Sequence, residues 1–499
     1  MIELLNGFSE LLVPAIFFSL IGGLLAGIVI GAMPGLTSTM AVALFLPVTF
    51  GMEPVPGILL LISLYFGSIY GGSIAAILLN TPGTPASAAT TLDGYPLTRK
   101  GEAGKALAVA AIASGCGSLI STIALILIAP ELAQVALQFS APESFALAFF
   151  GLAIISSVSG ENVVKGLIAG AFGLIIATVG LDPMTSFPRF TFGQGALLSG
   201  LNFIPVMIGL FAISEVFMQY KTRLDEKKPE MSSAISLPKI KETLSLWVTI
   251  IRSSIIGTFI GIIPGAGADI AAFVSYNEAK RFANKKDKDS FGKGNIKGVA
   301  AAEAGSNGVT GGAMVPLLTL GIPGDAVAAV LLGAFIIQGI QPGPMLFQTN
   351  GDLVYALFAG MLVCAVLIIV FGLLGVKAFA QVLKVPIHWL LPVILILSVV
   401  GSYAISNNIF DVYIALAFGL IGYFMKKYGF PASPIVLALI LGPMAESELR
   451  RSLVLSQGEF SIFFTRPIAA TLISLGIISL FLPIISSIIK KRKKGRDTA

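Results

Sequence analysis

The sequence predicts an all-α integral membrane protein with about a dozen membrane segments, built as two inverted-topology repeats with Pro-Gly-broken helices or re-entrant hairpins. The first observation is composition: 56% of the 499 residues are hydrophobic and 12% are charged, whereas soluble chains average about 25% charged residues. The second is the recurrence of apolar runs of roughly 20 residues, the length that crosses a bilayer. The clearest runs are Val13–Ile30, Ala106–Ile128, Val163–Val179, Leu353–Leu374 and Ile468–Ile489. The third is a pair of Pro-Gly motifs in each half of the chain.

The basic residues are concentrated in three short stretches, which hold more than half of the 32 Lys and Arg residues. These stretches are 221–241, 280–297 and 490–496. Basic clusters beside membrane spans are typical of cytoplasmic loops, so the net charge of +6 needs no nucleic acid partner. The predicted organisation is a first membrane repeat with its following helices at 1–220, a cytoplasmic linker at 221–242, a second repeat with its following helices at 243–489, and a basic cytoplasmic tail at 490–499.

Several function classes are excluded by what the sequence lacks. Cys116 and Cys364 lie in apolar runs and His388 is the single histidine, so neither a disulfide framework nor a metal site is predicted. The first ten residues lack the basic region of a cleaved signal peptide, so Val13–Ile30 is predicted to stay in the membrane. No nucleotide-binding loop and no nucleophile–base pair are evident, so no catalytic residue is predicted. If the chain moves a solute across the membrane, the energy must then come from an ion gradient, unless a partner chain hydrolyses ATP.

An internal repeat accounts for the Pro-Gly motifs. Residues 27–35 read GIVIGAMPG and residues 257–265 read GTFIGIIPG, so both fit G-x-x-I-G-x-x-P-G. Further along, YGGSIAAILLNTPGTPASA at 70–88 corresponds to TGGAMVPLLTLGIPGDAVAA at 310–329. Two matched motifs in the same order favour duplication over chance similarity.

The basic residues also indicate how the two halves are oriented. In the first half, Arg99, Lys100 and Lys105 follow the second motif, and none lies at 51–69 between the motifs. In the second half the basic stretch lies between the motifs. If basic loops face the cytoplasm, the halves have opposite orientations. Within the second half, Lys241 precedes the segment Trp247–Lys280, and Lys280 and Arg281 follow it. Because both ends should face the same side, the segment enters the membrane and returns, either as two full spans or as a re-entrant hairpin.

The four Pro-Gly pairs predict a binding site. Proline disrupts a helix and glycine permits the backbone angles that follow. Irregular backbone at membrane depth survives only within protein or beside a wet cavity, and half-helix ends there can bind ions. Small hydroxyl and amide groups surround the first-half pairs. The residues predicted to bind substrate are Pro34, Gly35, Thr37, Ser38, Thr39, Asn80, Thr81, Pro82, Gly83, Thr84, Pro264, Gly265, Pro323 and Gly324.

Acidic residues in the second half predict ion coupling. An ionised acid at the bilayer centre costs roughly 2.5–3.5 kcal/mol on insertion scales, so acids there indicate a polar cavity, a bound cation or a proton. The residues predicted to couple an ion are Asp269, Glu303, Ser306, Asn307 and Asp325. Bound Na+ and H+ are both left open, and no other cofactor is predicted. No Lys or Arg flanks the breaks in sequence, and Arg252 is predicted to be a structural, snorkelling residue.

These segments resemble a known family. GAMPGLTST, YGGSIAAILLNTPGTPASA, IPGAGADIA, GNIKGVAAAEAGSN and PLLTLGIPGDAVAAVLLGAFIIQGIQPGP are similar to the TctA-like large membrane subunit of tripartite tricarboxylate transporters. The resemblance runs from about residue 14 to about residue 465. It implies an ion-coupled carboxylate importer of the bacterial inner membrane, embedded in lipid. The implied partners are a small four-helix membrane subunit (TctB-like) and a periplasmic solute-binding protein (TctC-like).

The framework that matches the family includes many of the site residues. These positions are Gly31, Pro34, Gly35, Pro82, Gly83, Pro264, Gly265, Glu303, Asn307, Pro323 and Gly324. Two departures leave the coupling ion and the substrate charge open. The family often reads Ala-Pro-Glu-Ala-Asn-Asn where this chain has AAEAGSN at 301–307, and it often has a small residue where this chain has Asp325.

Two other functions fit the sequence less well. A stand-alone symporter or channel for another small anion would need no partner chains. An intramembrane enzyme would need a catalytic acid pair, for which Asp269, Glu303 and Asp325 are the available acids, but no motif for bond cleavage accompanies them.

Overall fold

The computed structural model describes residues 2–153, 163–221, 240–375 and 390–496. Most of the predicted linker, His388 and the last three residues of the predicted tail lie outside these residues. In the first half the helices are α1 (Ile2–Glu10), α2 (Pro14–Ala32), α3 (Ser38–Phe45), α4 (Pro54–Leu79), α5 (Ala88–Arg99), α6 (Ala103–Ala136), α7 (Ala141–Ala153), α8 (Val163–Ala177), α9 (Phe203–Met207) and α10 (Ser214–Lys221). Short 3-10 turns occur at Leu46–Thr49, Pro85–Ser87 and Gly195–Leu197, and a π-helical stretch at Ile208–Ile213.

The described ranges of the second half consist of helices joined by loops. Its helices are α11 (Ile240–Ser245), α12 (Trp247–Ile262), α13 (Ala268–Phe282), α14 (Lys285–Lys288), α15 (Ile296–Leu320), α16 (Ala326–Ile337), α17 (Leu346–Thr349), α18 (Gly351–Leu374), α19 (Leu390–Ser406), α20 (Ile409–Lys427), α21 (Ser433–Leu455), α22 (Ile462–Thr465) and α23 (Pro467–Arg496). The described strands are β1 (Gly180–Leu181) and β2 (Pro188–Arg189), which pair antiparallel with Gly180 opposite Arg189.

The predicted all-α, multi-pass membrane class is confirmed. Among the described residues, five helices are long and apolar enough to cross a membrane, namely α2, α4, α6, α18 and α20, and shorter apolar helices accompany them. The number of crossings stays a prediction. Helices α12 and α13 have 16 and 15 residues, fewer than the roughly 20 that a full crossing needs. These lengths favour the re-entrant hairpin over two full spans for Trp247–Lys280.

The chain forms two compact units, and each unit takes one segment from either half. The first unit comprises 1–134 and 215–407, and the second comprises 135–214 and 408–499. In the first unit α2 packs on α4 along glycines. A Cβ on Gly27 would stand 2.3 Å from the carbonyl oxygen of Leu64. Such an approach is open only to glycine, and small residues at helix contacts are typical of membrane proteins.

The same unit contains a second helix pair of this kind. Helix α12 packs on α15, and a Cβ on Gly257 would stand 2.1 Å from the carbonyl oxygen of Gly305. Gly27 and Gly257 occupy the same position of the repeated G-x-x-I-G-x-x-P-G motif. The two motifs therefore share a packing role as well as a sequence pattern.

In the second unit, α21 packs on α7 and α8, and α23 packs on α7 around a core of Ala146, Phe463, Ala469 and Ile473. The β1–β2 hairpin is attached to α21 by ion pairs. Arg189 Nη1 lies 2.6 Å from Glu446 Oε1, and Arg450 Nη1 lies 2.9 Å from Asp182 Oδ2. The backbone amides of Thr185 and Met184 also donate to Asp182 Oδ1.

This hairpin should be sensitive to acid. Hydrogen bonds from the amides of Thr185 and Met184, with the charge of Arg450, hold the pKa of the Asp182 carboxyl below its usual range. A lowered pKa contributes stability that is present above pH about 3.9, the unfolded value, and is lost as the pH falls towards the native value. In Asp182→Asn we therefore expect faster amide hydrogen exchange at Met184 and Thr185 at pH 7.

The difference between variant and wild type should shrink progressively as the pH falls below about 4, because the opened state binds a proton there while the native carboxylate, with its lowered pKa, is protonated only at lower pH. Glu459→Gln removes an exposed acid from the same unit and is the matched control. Equal exchange rates for Asp182→Asn and wild type at neutral pH would show that the ion pairs do not hold the hairpin.

Candidate functional site

Each of the four Pro-Gly pairs lies where one helix stops and another begins, and all four belong to the first unit. Break one (33–37) separates α2 from α3, and break two (80–84) separates α4 from the turn Pro85–Ser87. Break three (263–267) separates α12 from α13, and break four (321–325) separates α15 from α16. The prediction that these sites interrupt helices is confirmed.

Matched breaks share their backbone geometry. Asn80 caps the end of α4 with φ 57° and ψ 22°, and Gly321 caps the end of α15 with φ 69° and ψ 20°. Asparagine tolerates this left-handed region better than most residues. Asn80 therefore has a backbone role, and its side chain is exposed rather than enclosed in the break.

The second break of each half packs on the helix that leads into the first. A Cβ on Gly83 would stand 2.1 Å from the carbonyl oxygen of Gly31. A Cβ on Gly324 would stand 2.8 Å from the carbonyl oxygen of Gly261, the position matching Gly31. The Gly265 amide also donates to the Gly324 carbonyl at 2.6 Å. Break two thus packs on α2 next to break one, and breaks three and four are bonded directly to each other.

Contacts between the two halves connect these pairs. Helix α3, after break one, packs against α16, which follows break four. The turn Pro85–Ser87, after break two, packs against α13, which follows break three. Segments from the two halves of the sequence therefore form one continuous region.

The hydroxyl groups at the breaks divide into enclosed and exposed ones. Ser38, Thr39 and Thr84 are buried, whereas Thr81 is exposed. The buried Ser38 Oγ and Thr84 Oγ1 have no hydrogen-bond partner among the described residues. Thr37 is engaged locally, because its Oγ1 accepts from the Met40 amide at 3.2 Å and so caps α3. A buried polar atom without a partner is costly, so Ser38 and Thr84 are available to a ligand.

Asp325 is fully engaged by the protein. Its Oδ1 accepts from the Ala328 amide at 2.7 Å and caps α16, while its Oδ2 accepts from the Tyr65 hydroxyl at 2.6 Å. The Tyr65 bond links α4 of the first half to break four of the second. Asp269 lies close enough to Asp325 to repel it, but its own side chain is exposed in the first turn of α13.

The Tyr65–Asp325 bond predicts a stability effect. Tyr65→Phe leaves a buried carboxylate oxygen without its donor, so we expect the free energy of unfolding to fall by about 1–3 kcal/mol. The measurement is thermal unfolding of the detergent-solubilised protein. Tyr403→Phe, which removes an exposed hydroxyl from the same unit, is the control and should leave the unfolding midpoint unchanged. Equal midpoints for the two variants would contradict the link.

Glu303 lies at the centre of a second buried cluster. Its carboxylate is fully buried and accepts from the hydroxyls of Thr90 on α5 and Ser114 on α6, the latter at 2.9 Å. Asn307 Nδ2 donates to Ser114 Oγ at 2.9 Å, and the Ser306 hydroxyl donates to the Glu303 carbonyl at 3.1 Å. Of the predicted ion-coupling residues, the structure thus brings Glu303, Ser306 and Asn307 together in one cluster. Asp269 and Asp325 lie outside this cluster, at breaks three and four.

The Glu303 cluster lacks compensating charge. Within the described residues, no Lys, Arg or His side chain pairs with Glu303, and the buried Asn307 Oδ1 has no hydrogen-bond partner. A buried carboxylate without a counter-charge is strongly disfavoured unless it binds a proton or a cation. The amide oxygen of Asn307 and the surrounding hydroxyls are the neutral oxygens that such a cation would need.

Several residues at the site were not identified from sequence. Tyr65, Thr90 and Ser114 each lie in a helix that holds several other hydroxyl side chains, and no sequence pattern distinguishes them from those neighbours. Gln219 was also not identified from sequence. Its Nε2 would lie 2.1 Å from a Cβ added to Gly35, so its side chain lies against break one. Arg252 stacks on Phe282, with Cζ 4.2 Å from the ring centroid, as a structural arginine would.

Asp93 on α5 is the most heavily bonded of the residues that sequence analysis missed. It accepts from the Tyr276 hydroxyl at 2.9 Å and from the amides of Gly292, Gly294 and Asn295 at 2.9, 2.8 and 2.7 Å. Nearby, Lys100 Nζ donates to the Lys293 carbonyl at 2.6 Å. These bonds hold the loop before α15 against α5, so the basic stretches of both halves lie side by side.

Comparisons with known proteins are consistent with this architecture. A family model described as the tripartite tricarboxylate transporter TctA family matches residues 17–437. An uncharacterised 52.8 kDa protein in the TAR-I ttuC' 3' region of Agrobacterium vitis is 37% identical over 498 residues, covering 98% of this chain and 97% of the relative. An uncharacterised protein in the TAR-II ttuC' 3' region of the same organism is 38% identical over 236 residues, covering 47% of this chain and 97% of the relative. No solved structure matches. The chain belongs to the tripartite tricarboxylate transporter TctA family.

Proposed function

We propose that this chain is the large membrane subunit of an ion-gradient-driven importer of small carboxylates, of the tri- or dicarboxylate class, in the bacterial inner membrane. A TctC-like periplasmic solute-binding protein delivers the substrate, and a TctB-like four-helix subunit completes the complex. Family membership supports transport as the activity. The observation that carries the binding site is the joining of four helix breaks in one unit, with unpartnered buried hydroxyls at Ser38 and Thr84.

The two halves of the first unit form an inverted repeat in this proposal. The matched caps at Asn80 and Gly321 and the matched packing of Gly83 and Gly324 support the duplication. The bond between Lys100 and Lys293 supports the opposite orientation, because it places the basic stretches of both halves on one face. That face is cytoplasmic by the distribution of basic residues.

Break one is the best place for a substrate carboxylate. Helix N-termini carry unpaired amides and a partial positive charge, which suit anions. The N-terminus of α16 is already occupied by the Asp325 carboxylate, and α13 has Asp269 in its first turn. Helix α3 has no acid in its first turn and begins at Ser38, whose buried hydroxyl has no hydrogen-bond partner among the described residues. Thr84 at break two is the second proposed contact.

Glu303 is the proposed site of the coupling ion, Na+ or H+. It combines full burial, hydroxyl partners and the unpartnered oxygen of Asn307. Asp325 is assigned a positioning role instead, since both of its oxygens are bonded to the protein. Domain movement between outward-open and inward-open states would then expose the loaded site to the cytoplasm.

The function is tested by uptake into proteoliposomes that contain the chain with both partner proteins, and with each withheld. Labelled acetate, succinate and citrate are compared under Na+ and H+ gradients. We expect uptake of a di- or tricarboxylate that needs a gradient and both partners. Full-rate uptake without the partners would instead show a stand-alone symporter, and no uptake of any carboxylate would contradict the substrate class.

Two variants test the residue assignments. Thr84→Ala should raise the KM for the carboxylate about tenfold or more, since a hydrogen bond to a charged group is worth roughly 1.5–3 kcal/mol. Thr81→Ala, in the same break but exposed, is the matched control and should keep the wild-type KM.

Glu303→Gln keeps the shape of the side chain but cannot release a proton or neutralise a cation, so uptake should lose its dependence on the gradient. Wild-type coupling in Glu303→Gln would move the ion site elsewhere.

A further inference from the structure

An open cavity of about 510 Å³ lies at the end of α5, directly beside break two. This volume falls within the range of small-molecule sites, roughly 300–1,000 Å³. Its polar lining consists of Asn80, Thr91, Tyr95, Arg99 and Lys100. Asn80 is also the first residue of break two, so the cavity adjoins the proposed substrate site.

The charge of this cavity is positive and uncompensated. Arg99 is exposed and has no hydrogen bond or ion pair within the part of the chain that the structure describes. Lys100 donates to the Lys293 carbonyl, a neutral group, and so retains its full charge. Of the residues that the structure describes, no acidic one lines the cavity. Asp93, the acid on the same helix, has both oxygens occupied by Tyr276 and by backbone amides.

The position of the cavity indicates which side of the membrane it serves. Lys293, bonded to Lys100, belongs to the basic stretch 280–297. Basic stretches of this kind face the cytoplasm. A carboxylate that leaves break two towards the cytoplasm would therefore meet Arg99 and Lys100 first.

We propose that this cavity, the Arg99 cavity, binds small carboxylates on the cytoplasmic side and is the release site of the transporter. The proposal rests on the proposed function. The carbonyl end of α5 opposes an anion there, so binding is weak, as a release site requires. The headgroup of an anionic phospholipid has the same chemistry, and the experiment separates the two sources.

The first test measures the local potential without transport. Thr91→Cys places a thiol in the cavity, while the native Cys116 and Cys364 are buried. In inside-out vesicles of the full complex, labelling by an anionic sulfonate thiol reagent is compared with labelling by a cationic trimethylammonium reagent.

Arg99→Gln with Lys100→Gln should lower the anionic-to-cationic rate ratio about fivefold or more, and added salt should shrink that effect. Lys288→Gln, an exposed lysine on the same face but outside the cavity, is the matched control.

Protection by ligands identifies the occupant. Citrate or succinate on the cytoplasmic side should slow labelling of Thr91→Cys in phosphatidylcholine vesicles, and should do so less in the Arg99→Gln and Lys100→Gln background. An unchanged rate ratio with no protection by either carboxylate would overturn the proposal. Protection by added phosphatidylglycerol alone would also overturn it, because the cavity would then be a lipid site.

The second test measures transport from both sides. In proteoliposomes, the double variant should show several-fold weaker inhibition of uptake by citrate or succinate on the cytoplasmic side, with an unchanged KM on the periplasmic side. An equal change on both sides would contradict a release site. If the wild-type complex transports nothing but labelling is still protected, carboxylate binding at the cavity stands, while the proposed function fails and with it the role of the cavity as a release site.

Discussion

Asp93→Ala should destabilise the first unit by several kcal/mol. The wild-type carboxylate accepts four hydrogen bonds, from Tyr276, Gly292, Gly294 and Asn295, and is fully buried. Each buried donor left unpaired costs roughly 1–3 kcal/mol, although the four costs are not additive. The measurement is the midpoint of thermal unfolding in detergent, with the monodisperse fraction recorded beside it.

Two comparisons show whether the hydrogen bonds are responsible. Asp289→Ala removes an exposed acid near the same loop and should leave the midpoint unchanged. Asp93→Asn retains one carbonyl oxygen for the amides, so its midpoint should fall between those of Asp93→Ala and wild type. If Asp93→Ala and Asp289→Ala unfold at the same temperature, the hydrogen bonds between Asp93 on α5 and the loop before α15 do not stabilise the protein.

Gly83→Ala is the second substitution with a large expected effect. The added methyl would stand 2.1 Å from the Gly31 carbonyl oxygen and 2.9 Å from the Gly72 Cα, both backbone atoms that no rotamer change can move. Overpacking of this kind costs about 1–3 kcal/mol, and occasionally more. Because the clash separates break two from α2, we expect loss of uptake together with a lowered unfolding midpoint.

The matched control is Gly22→Ala on α2, where nothing lies within 4 Å of the added Cβ. A helical Gly-to-Ala change in open space is neutral or stabilising by up to about 1 kcal/mol. Wild-type stability and uptake in Gly83→Ala would mean that break two does not pack closely on α2.

Features that depend on single residues or short runs were accessible from sequence. Apolar runs and sparse charge predicted the membrane class, since the cost of burying a charge in hydrocarbon depends little on the fold. The Pro-Gly pairs predicted the helix interruptions, because proline and glycine act on the backbone where they stand. The matched motifs predicted an internal repeat, which stays a prediction, and Gly27 and Gly257 make equivalent close contacts with backbone carbonyls in the two halves.

Features that depend on partners distant in sequence were not accessible. Asp325 and Glu303 are both acids in apolar surroundings, and nothing near them in sequence distinguishes their roles. The fold gives Asp325 a helix cap and the Tyr65 hydroxyl, and gives Glu303 hydroxyls beside an unpartnered amide oxygen. The cationic cavity was missed because Arg99 lies 17 residues after Pro82 in sequence but shares a cavity with Asn80.

The sequence by itself determined that this protein is a multi-pass membrane chain with four helix breaks, because hydropathy, proline and glycine act locally, and the resemblance of its motifs indicated the TctA family. Only the tertiary structure decided which helices pack at the breaks, which buried hydroxyls lack a hydrogen-bond partner among the described residues, and which acid has both oxygens hydrogen-bonded to the protein. Those properties are set by helix packing between residues about 200 positions apart, as in the bonds from Asp93 to the loop before α15.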